Sequence, residues 1–304
     1  MAHNVAENMT GARRFRVIGA ASGIGAQDQS CAAGPLAFHR SHAWRALSGR
    51  GGVHWGETLF APQEGQPLAR IAGLCRKLTE TVAATLAVGE FPLVLGGDHS
   101  VAIGTWSGVA RHLGNPPGLL WIDAHLDSHT PASTYSGAVH GMPLACLLGQ
   151  GDKRLLHLGL PGLQIDPRRS AVFGARSFEP EECRLLQRLG VRMIAAEELV
   201  RDGFAACLDR AMRIVGAGGE PFGVTLDLDA IDPRLAPGVG SPEPDGLRAE
   251  DVRTALAWIA TLPGFTALEI VEYNPDRDRF SSTARLLAAL LESVIEADRQ
   301  GGGG

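Results

Sequence analysis

Two stretches of the chain, FPLVL at 91–95 and LLWI at 119–122, are apolar at every position, so strands formed there must be covered on both faces. Six further short runs read as strands in the same way, giving eight in all at 15–19, 53–58, 91–95, 119–122, 171–174, 191–194, 223–228 and 267–271. Between them, apolar residues recur at three and four over 67–88, 100–113, 180–189, 196–216, 248–260 and 281–297, which is the period of a helix. Short buried strands alternating with amphipathic helices predict a mainly parallel sheet with helices on both faces. At 304 residues one large domain is as reasonable as two. With neither repeat nor linker visible, a single domain over 13–298 is expected, with 1–12 and 299–304 as disordered tails.

A chain of this length buries about 75% of its unfolded surface, so its core needs no metal or disulfide, and any metal would be functional. The five cysteines, Cys31, Cys75, Cys146, Cys183 and Cys207, form no C-x-x-C and suit a reducing compartment. No apolar run approaches a membrane span and no leader is apparent, so a cytoplasmic protein is expected. A net charge of -5 and the lack of a basic stripe argue against nucleic acid as a partner.

The chemistry lies where the polar residues fall, because open α/β sheets bind ligands at the carboxyl ends of their strands. After FPLVL comes GGDHS with Asp98 and His99; after LLWI comes DAHLD with Asp123, His125 and Asp127; after GVTL comes DLD with Asp227 and Asp229. Residues two apart in extended chain point to one side, so each cluster offers a local fan of ligands. Any one Asp at a strand end is ordinarily a solvated acid or a helix cap. Leaving Asp98 aside, the three clusters hold four carboxylates and two imidazoles, which would repel one another unless cations sat among them, and four negative charges match two divalent ions. A thiolate-free set of Asp and His favours Mn(II), with other divalent metals acceptable. Two ions roughly 3.5–4 Å apart can share a water and lower its pKa, which is hydrolytic chemistry.

GGDHS, DAHLD and LDLDAIDP in combination resemble the ureohydrolases, the arginase and agmatinase family, over nearly the whole chain. The resemblance implies a three-layer α/β/α sandwich around an eight-stranded parallel sheet. It also implies two Mn(II) ions held by His99, Asp123, His125, Asp127, Asp227 and Asp229, with Asp98 orienting rather than ligating. His140 in AVHGMP matches the family's proton shuttle or general acid, and Glu272 in VEYNP matches the carboxylate that pairs with the substrate guanidinium. The Thr-x-Ser-Gly spacing of Thr134 and Ser136 resembles the arginase loop that contacts an amino-acid carboxylate. His129 stands where arginases have asparagine, and Glu179 where they have aspartate near the α-amino group. The implied reaction is hydrolysis of L-arginine to L-ornithine and urea, with proton delivery through Asp127 or His140, in a homo-oligomer, trimer or hexamer. Agmatine, guanidinobutyrate and formimidoyl compounds are the alternative substrates.

Three rival readings compete for parts of this pattern. VIGAASGIG at 17–25 has the glycine spacing of short-chain dehydrogenases, but no Tyr is followed four residues later by Lys: Tyr135 meets Val139 and Tyr273 meets Arg277. Its glycines then read as a strand-to-helix turn. Single-zinc deacetylases use fewer ligands than this chain offers, and an inactive assembly protein would show degenerate ligands, of which there are none.

Overall fold

A computed structural model describes residues 13–301. In chain order the elements are β1 (Arg14–Ala21), α1 (Gly34–Arg40), α2 (His42–Ser48), β2 (Val53–Phe60), α3 (Pro67–Ala87), β3 (Glu90–Gly96), α4 (Ala102–Leu113) and β4 (Gly118–Ile122). There follow α5 (Pro143–Leu147), β5 (Ser170–Phe173), α6 (Pro180–Leu189), β6 (Arg192–Ile194), α7 (Ala196–Asp202), α8 (Phe204–Val215), β7 (Phe222–Asp227), α9 (Ala249–Ala260), β8 (Phe265–Val271) and α10 (Ser282–Gly301). The strands form one sheet in the order β2-β1-β3-β8-β7-β4-β5-β6, and every pairing is parallel. The expected sheet is therefore present, with no antiparallel edge among the described residues.

Side chains alternate across it as the pleat requires. On β4, Leu120 and Ile122 enter a core shared with α8, α9 and α10, while Leu119 and Trp121 enter a second core shared with α3 and α4. Both faces are thus covered, which is why these strands read as unbroken apolar runs. The predicted helix at 196–216 is two helices, because Gly203 takes a backbone of φ 86° and ψ 148° that no helix continues through. Helices α1, α2 and α5 have no counterpart in the sequence reading: at seven, seven and five residues they are too short to show a period. The end of the chain also differs from expectation. Helix α10 continues to Gly301, so 299–301 are helical rather than a tail, while 1–12 and 302–304 lie outside the described residues.

Strand order has one consequence for function. The four strands whose carboxyl ends carry acid and imidazole groups, β3, β8, β7 and β4, are consecutive neighbours in the middle of the sheet.

Candidate metal centre and active-site cleft

Three of these strands end in the same local device. Asp98, Asp123 and Asp227 each accept a hydrogen bond from the backbone N–H two residues on, those of Ser100, His125 and Asp229, at 2.9, 2.7 and 2.9 Å. An Asp that turns the chain in this way ends the strand and throws the next side chains over the sheet edge. The D-x-H and D-x-D spacings are therefore both a turn signal and a ligand signal.

The side chains converge in two overlapping groups. Nδ1 of His99 lies 3.1, 3.0 and 3.2 Å from Oδ2 of Asp123, Asp127 and Asp227. Nδ1 of His125 lies 3.4 Å from the other oxygen of Asp123 and 3.2 Å from Oδ2 of Asp229. Asp123 thus belongs to both groups, one oxygen to each, and Trp121 Nε1 donates to its Oδ2 at 2.9 Å. All six expected positions meet here. His99 Nδ1 is buried and makes no hydrogen bond of good geometry among the described residues, although three carboxylate oxygens surround it. A buried polar atom in that position fits a cation, since burying it without one is costly.

The electrostatics agree. Burial, with repulsion from Asp123, raises Asp127 above the ordinary carboxylate range, and burial with the charges of Asp229 and Asp123 raises Asp227 well above it. Burial lifts Asp229 to about 6 even though His125 opposes the rise. Burial opposes charge on His99, yet its three carboxylates outweigh burial and drive it upward. Protons here offset a charge that divalent cations would otherwise offset.

Beside the clusters, Glu272 leaves β8 with a left-handed backbone of φ 65°, and Asp127 has φ 45°. Such strain costs on the order of 1–3 kcal/mol at each residue and persists where surroundings dictate it. The Glu272 N–H donates to Gly97 O at 2.7 Å, and its carboxylate takes the His99 N–H at 3.0 Å and the Cys31 thiol at 3.1 Å. His140 Nδ1 is 3.1 Å from Glu272 Oε1. Burial works against the imidazolium of His140, but Glu272, with Asp127 and Asp98 beyond it, pushes its pKa up to about 9.

A cleft of about 250 Å³ opens over the clusters, lined by His125, Asp127, His140, Asp227 and Asp229 together with His129, Glu179 and Glu182. His129 Nε2 is 2.9 Å from Glu179 Oε2 and 3.5 Å from Glu182 Oε2. Thr134 and Ser136 are not part of this lining. Their hydroxyls accept from Gly137 N and Ala138 N at 3.0 and 3.1 Å, and Ser136 instead borders an adjoining 410 Å³ cavity that also meets His140 and Glu272.

Asp98 lies under the site. It accepts from Ser22 Oγ and from Gly25 N at 3.2 and 3.0 Å, and a Cβ at Gly25 would fall 2.5 Å from its Oδ1. The glycine-rich loop that imitated a dinucleotide motif is therefore a close-packed seat for Asp98. Two contributors escaped the sequence reading. Glu182 receives Ser128 N and Glu179 N at 3.0 Å each, and a Glu three residues after Glu179 at a helix start was the available signal. Cys31 carried no signal at all, being far from Glu272 in sequence.

An all-parallel α/β/α sandwich with paired Asp–His clusters at its central strand ends defines the ureohydrolase class. The arginase family model matches residues 13–296, and the chain belongs to the arginase family. It is 39% identical over 219 residues to the arginase of Brevibacillus brevis, covering 72% of this chain and 73% of that one. It is 32% identical over 291 residues to the arginase of Bacillus subtilis (strain 168), covering 93% and 98%. The crystal structure of arginase from Bacillus subtilis superposes with a TM-score of 0.86 at 32% identity, over 93% of this chain and 98% of that one.

Proposed function

We propose that the protein is a Mn(II)-dependent arginase that hydrolyses L-arginine to L-ornithine and urea, with residues 13–298 acting as one domain. The observation that carries the reading is Asp123 shared between the His99 and His125 clusters with the Glu272–His140 pair beside them. The similarity to bacterial arginases supports the substrate. His99, Asp123, Asp127 and Asp227 would hold one ion, and Asp123, His125 and Asp229 the other. Bound there, two divalent ions supply a nucleophile at neutral pH and stabilise charge developing on the substrate.

The chain's own groups do the rest. Glu272, held from behind by Cys31 and the His99 amide, presents a fixed carboxylate to the planar guanidinium. His140, kept protonated by that same carboxylate, donates to the leaving amine, and Asp127 is placed to pass a proton toward it. At the α-carbon end, Thr134 and Ser136 use their oxygens as acceptors within the loop, which leaves the O–H hydrogens for a substrate carboxylate. His129 adds a donor and Glu179 an acceptor for the α-ammonium group.

The His129–Glu179 contact of 2.9 Å favours a second reading, since the two groups satisfy one another without an α-amino acid end. Agmatine or guanidinobutyrate would then be preferred. Urea release from the Mn(II)-loaded enzyme decides: two or three donors left unpaired, each costing about 1–3 kcal/mol, give L-arginine a kcat/KM roughly 100-fold or more above agmatine. A better rate on agmatine keeps the family and discards the substrate. We also propose a cytoplasmic homo-oligomer, trimer or hexamer; the five unbridged cysteines support a reducing compartment, and no helix among the described residues is long and apolar enough to cross a membrane.

A further inference from the structure

Glu269 is a carboxylate in the middle of the sheet. It sits on β8, fully buried, and its hydrogen-bond partners are two equally buried hydroxyls rather than a cation. Thr105, from α4, donates to Oε1, and Thr225, from β7, lies 2.7 Å from Oε2. Burying a carboxylate is costly, so its retention at this position calls for a physical reason. Thr225 supplies one: the far side of its hydroxyl is 3.2 Å from Nε2 of His99.

We propose that Glu269, acting through Thr225, fixes the tautomer of His99 and thereby aims the Nδ1 lone pair at the candidate metal centre. The inference rests on reading the Asp–His clusters as that centre. A threonine hydroxyl has one hydrogen and an ionised carboxylate has none, so with Glu269 ionised and accepting from both Thr105 and Thr225, Thr225 can only accept from His99. Nε2 must then carry the hydrogen, and in the neutral ring Nδ1 is bare. That nitrogen is the one ringed by Asp123, Asp127 and Asp227 at 3.0–3.2 Å.

Trp121, stacked on the imidazole with centroids 4.3 Å apart and planes 16° from parallel, fixes the plane in which the ring spans Thr225 and the three carboxylates. Partners behind a histidine ligand also raise its basicity toward the metal. Glu269 is therefore a positioning residue for one of the two ions. It lies on the opposite side of His99 from the cleft, and it makes no corresponding contact with His125.

The test uses the full chain loaded with Mn(II) and challenged with a graded chelator, reading the metal retained per chain. Glu269→Gln puts an amide donor where only an acceptor stood and lets the relay run backwards. Thr225→Val removes it at constant shape, and Thr225→Ser restores it. Wild type and Thr225→Ser are expected to hold two ions alike, while Glu269→Gln and Thr225→Val hold one ion normally and the other roughly 10–100-fold more weakly. Wild-type retention of both ions in Glu269→Gln and Thr225→Val, or equal weakening of both ions, overturns the proposal. Should Glu269→Gln fail to fold, as a thermal melt would show, the Val and Ser variants at 225 decide alone. Wild type taking up fewer than two ions overturns the metal-centre reading itself.

Discussion

The floor of the cleft and its rim solve different physical problems with the same few residue types. At the floor, His99, Asp123, Asp127, Asp227 and Asp229 are almost wholly buried, each within a few residues of a strand end, and tied to one another and to backbone N–H groups. At the rim, Thr134 and Ser136 ride on a loop whose hydroxyls bond only their own turn, and Glu179 has a side chain 46% exposed. Strand ends anchored in a two-sided core hold charges that are largely shielded from water. A loop holds groups that water screens, and these can change without loss of the fold. The lesson is that chemistry here is assigned to the rigid region and substrate choice to the adjustable one.

The strongest way to break that contrast is to remove a floor carboxylate. Asp127→Ala or Asp229→Ala is expected to lose bound metal and at least about 1,000-fold in kcat, because the open centre loses its nucleophile. Elemental analysis beside steady-state urea release checks it; full metal content with near-normal turnover would show that the floor is not the reaction centre.

His140 joins the two regions, being half-buried and bonded to the floor through Glu272. His140→Asn is expected to keep both metals yet lower kcat by about 10- to 10,000-fold, the range for general acid–base groups. The pH profile carries the sign. With its pKa raised to about 9, the imidazolium donor persists through neutral pH and is lost as pH rises through about 9. The wild-type rate should therefore fall above that point, and the fall should be missing in His140→Asn. An unchanged alkaline limb in the variant would assign the proton elsewhere.

Smaller effects belong to the rim. Ser136→Ala is expected to lower kcat/KM for L-arginine about 10-fold while leaving agmatine nearly untouched, since a hydrogen bond to a charged group contributes about 1.5–3 kcal/mol. An equal loss on both substrates would place Ser136 in the loop's architecture instead. The smallest effect is on stability. Glu179→Gln should change unfolding free energy by no more than about 1 kcal/mol, as exposed ion pairs do, while altering the arginine-to-agmatine ratio. A large drop in melting temperature would mean that the rim is as structural as the floor.

Much of the floor could be read from the chain because its signals are local. FPLVL, LLWI and GVTL announce strands buried on both faces, and the aspartate that follows each terminates it and turns the ligands outward, so one short word encodes element, turn and chemistry. The rim was legible only through resemblance. The loop's spacing singles out Thr134 and Ser136, but their turn-internal hydrogen bonds, and the place of Ser136 beside a neighbouring cavity, follow from the loop's path.

Tertiary structure alone decided which clusters would meet. Nothing in the spacing of residues 99, 123, 227 and 272 says that their strands lie side by side; that follows from the crossovers that put β8 and β7 between β3 and β4. The same order brings Cys31 against Glu272, and Thr225 and Glu269 behind His99, contacts between residues 44 to 241 positions apart. Local sequence determines elements because turn and pleat act over a few residues. Which side chains share a site depends on how helices and sheet bury their apolar faces together, and that is a property of the whole packed chain.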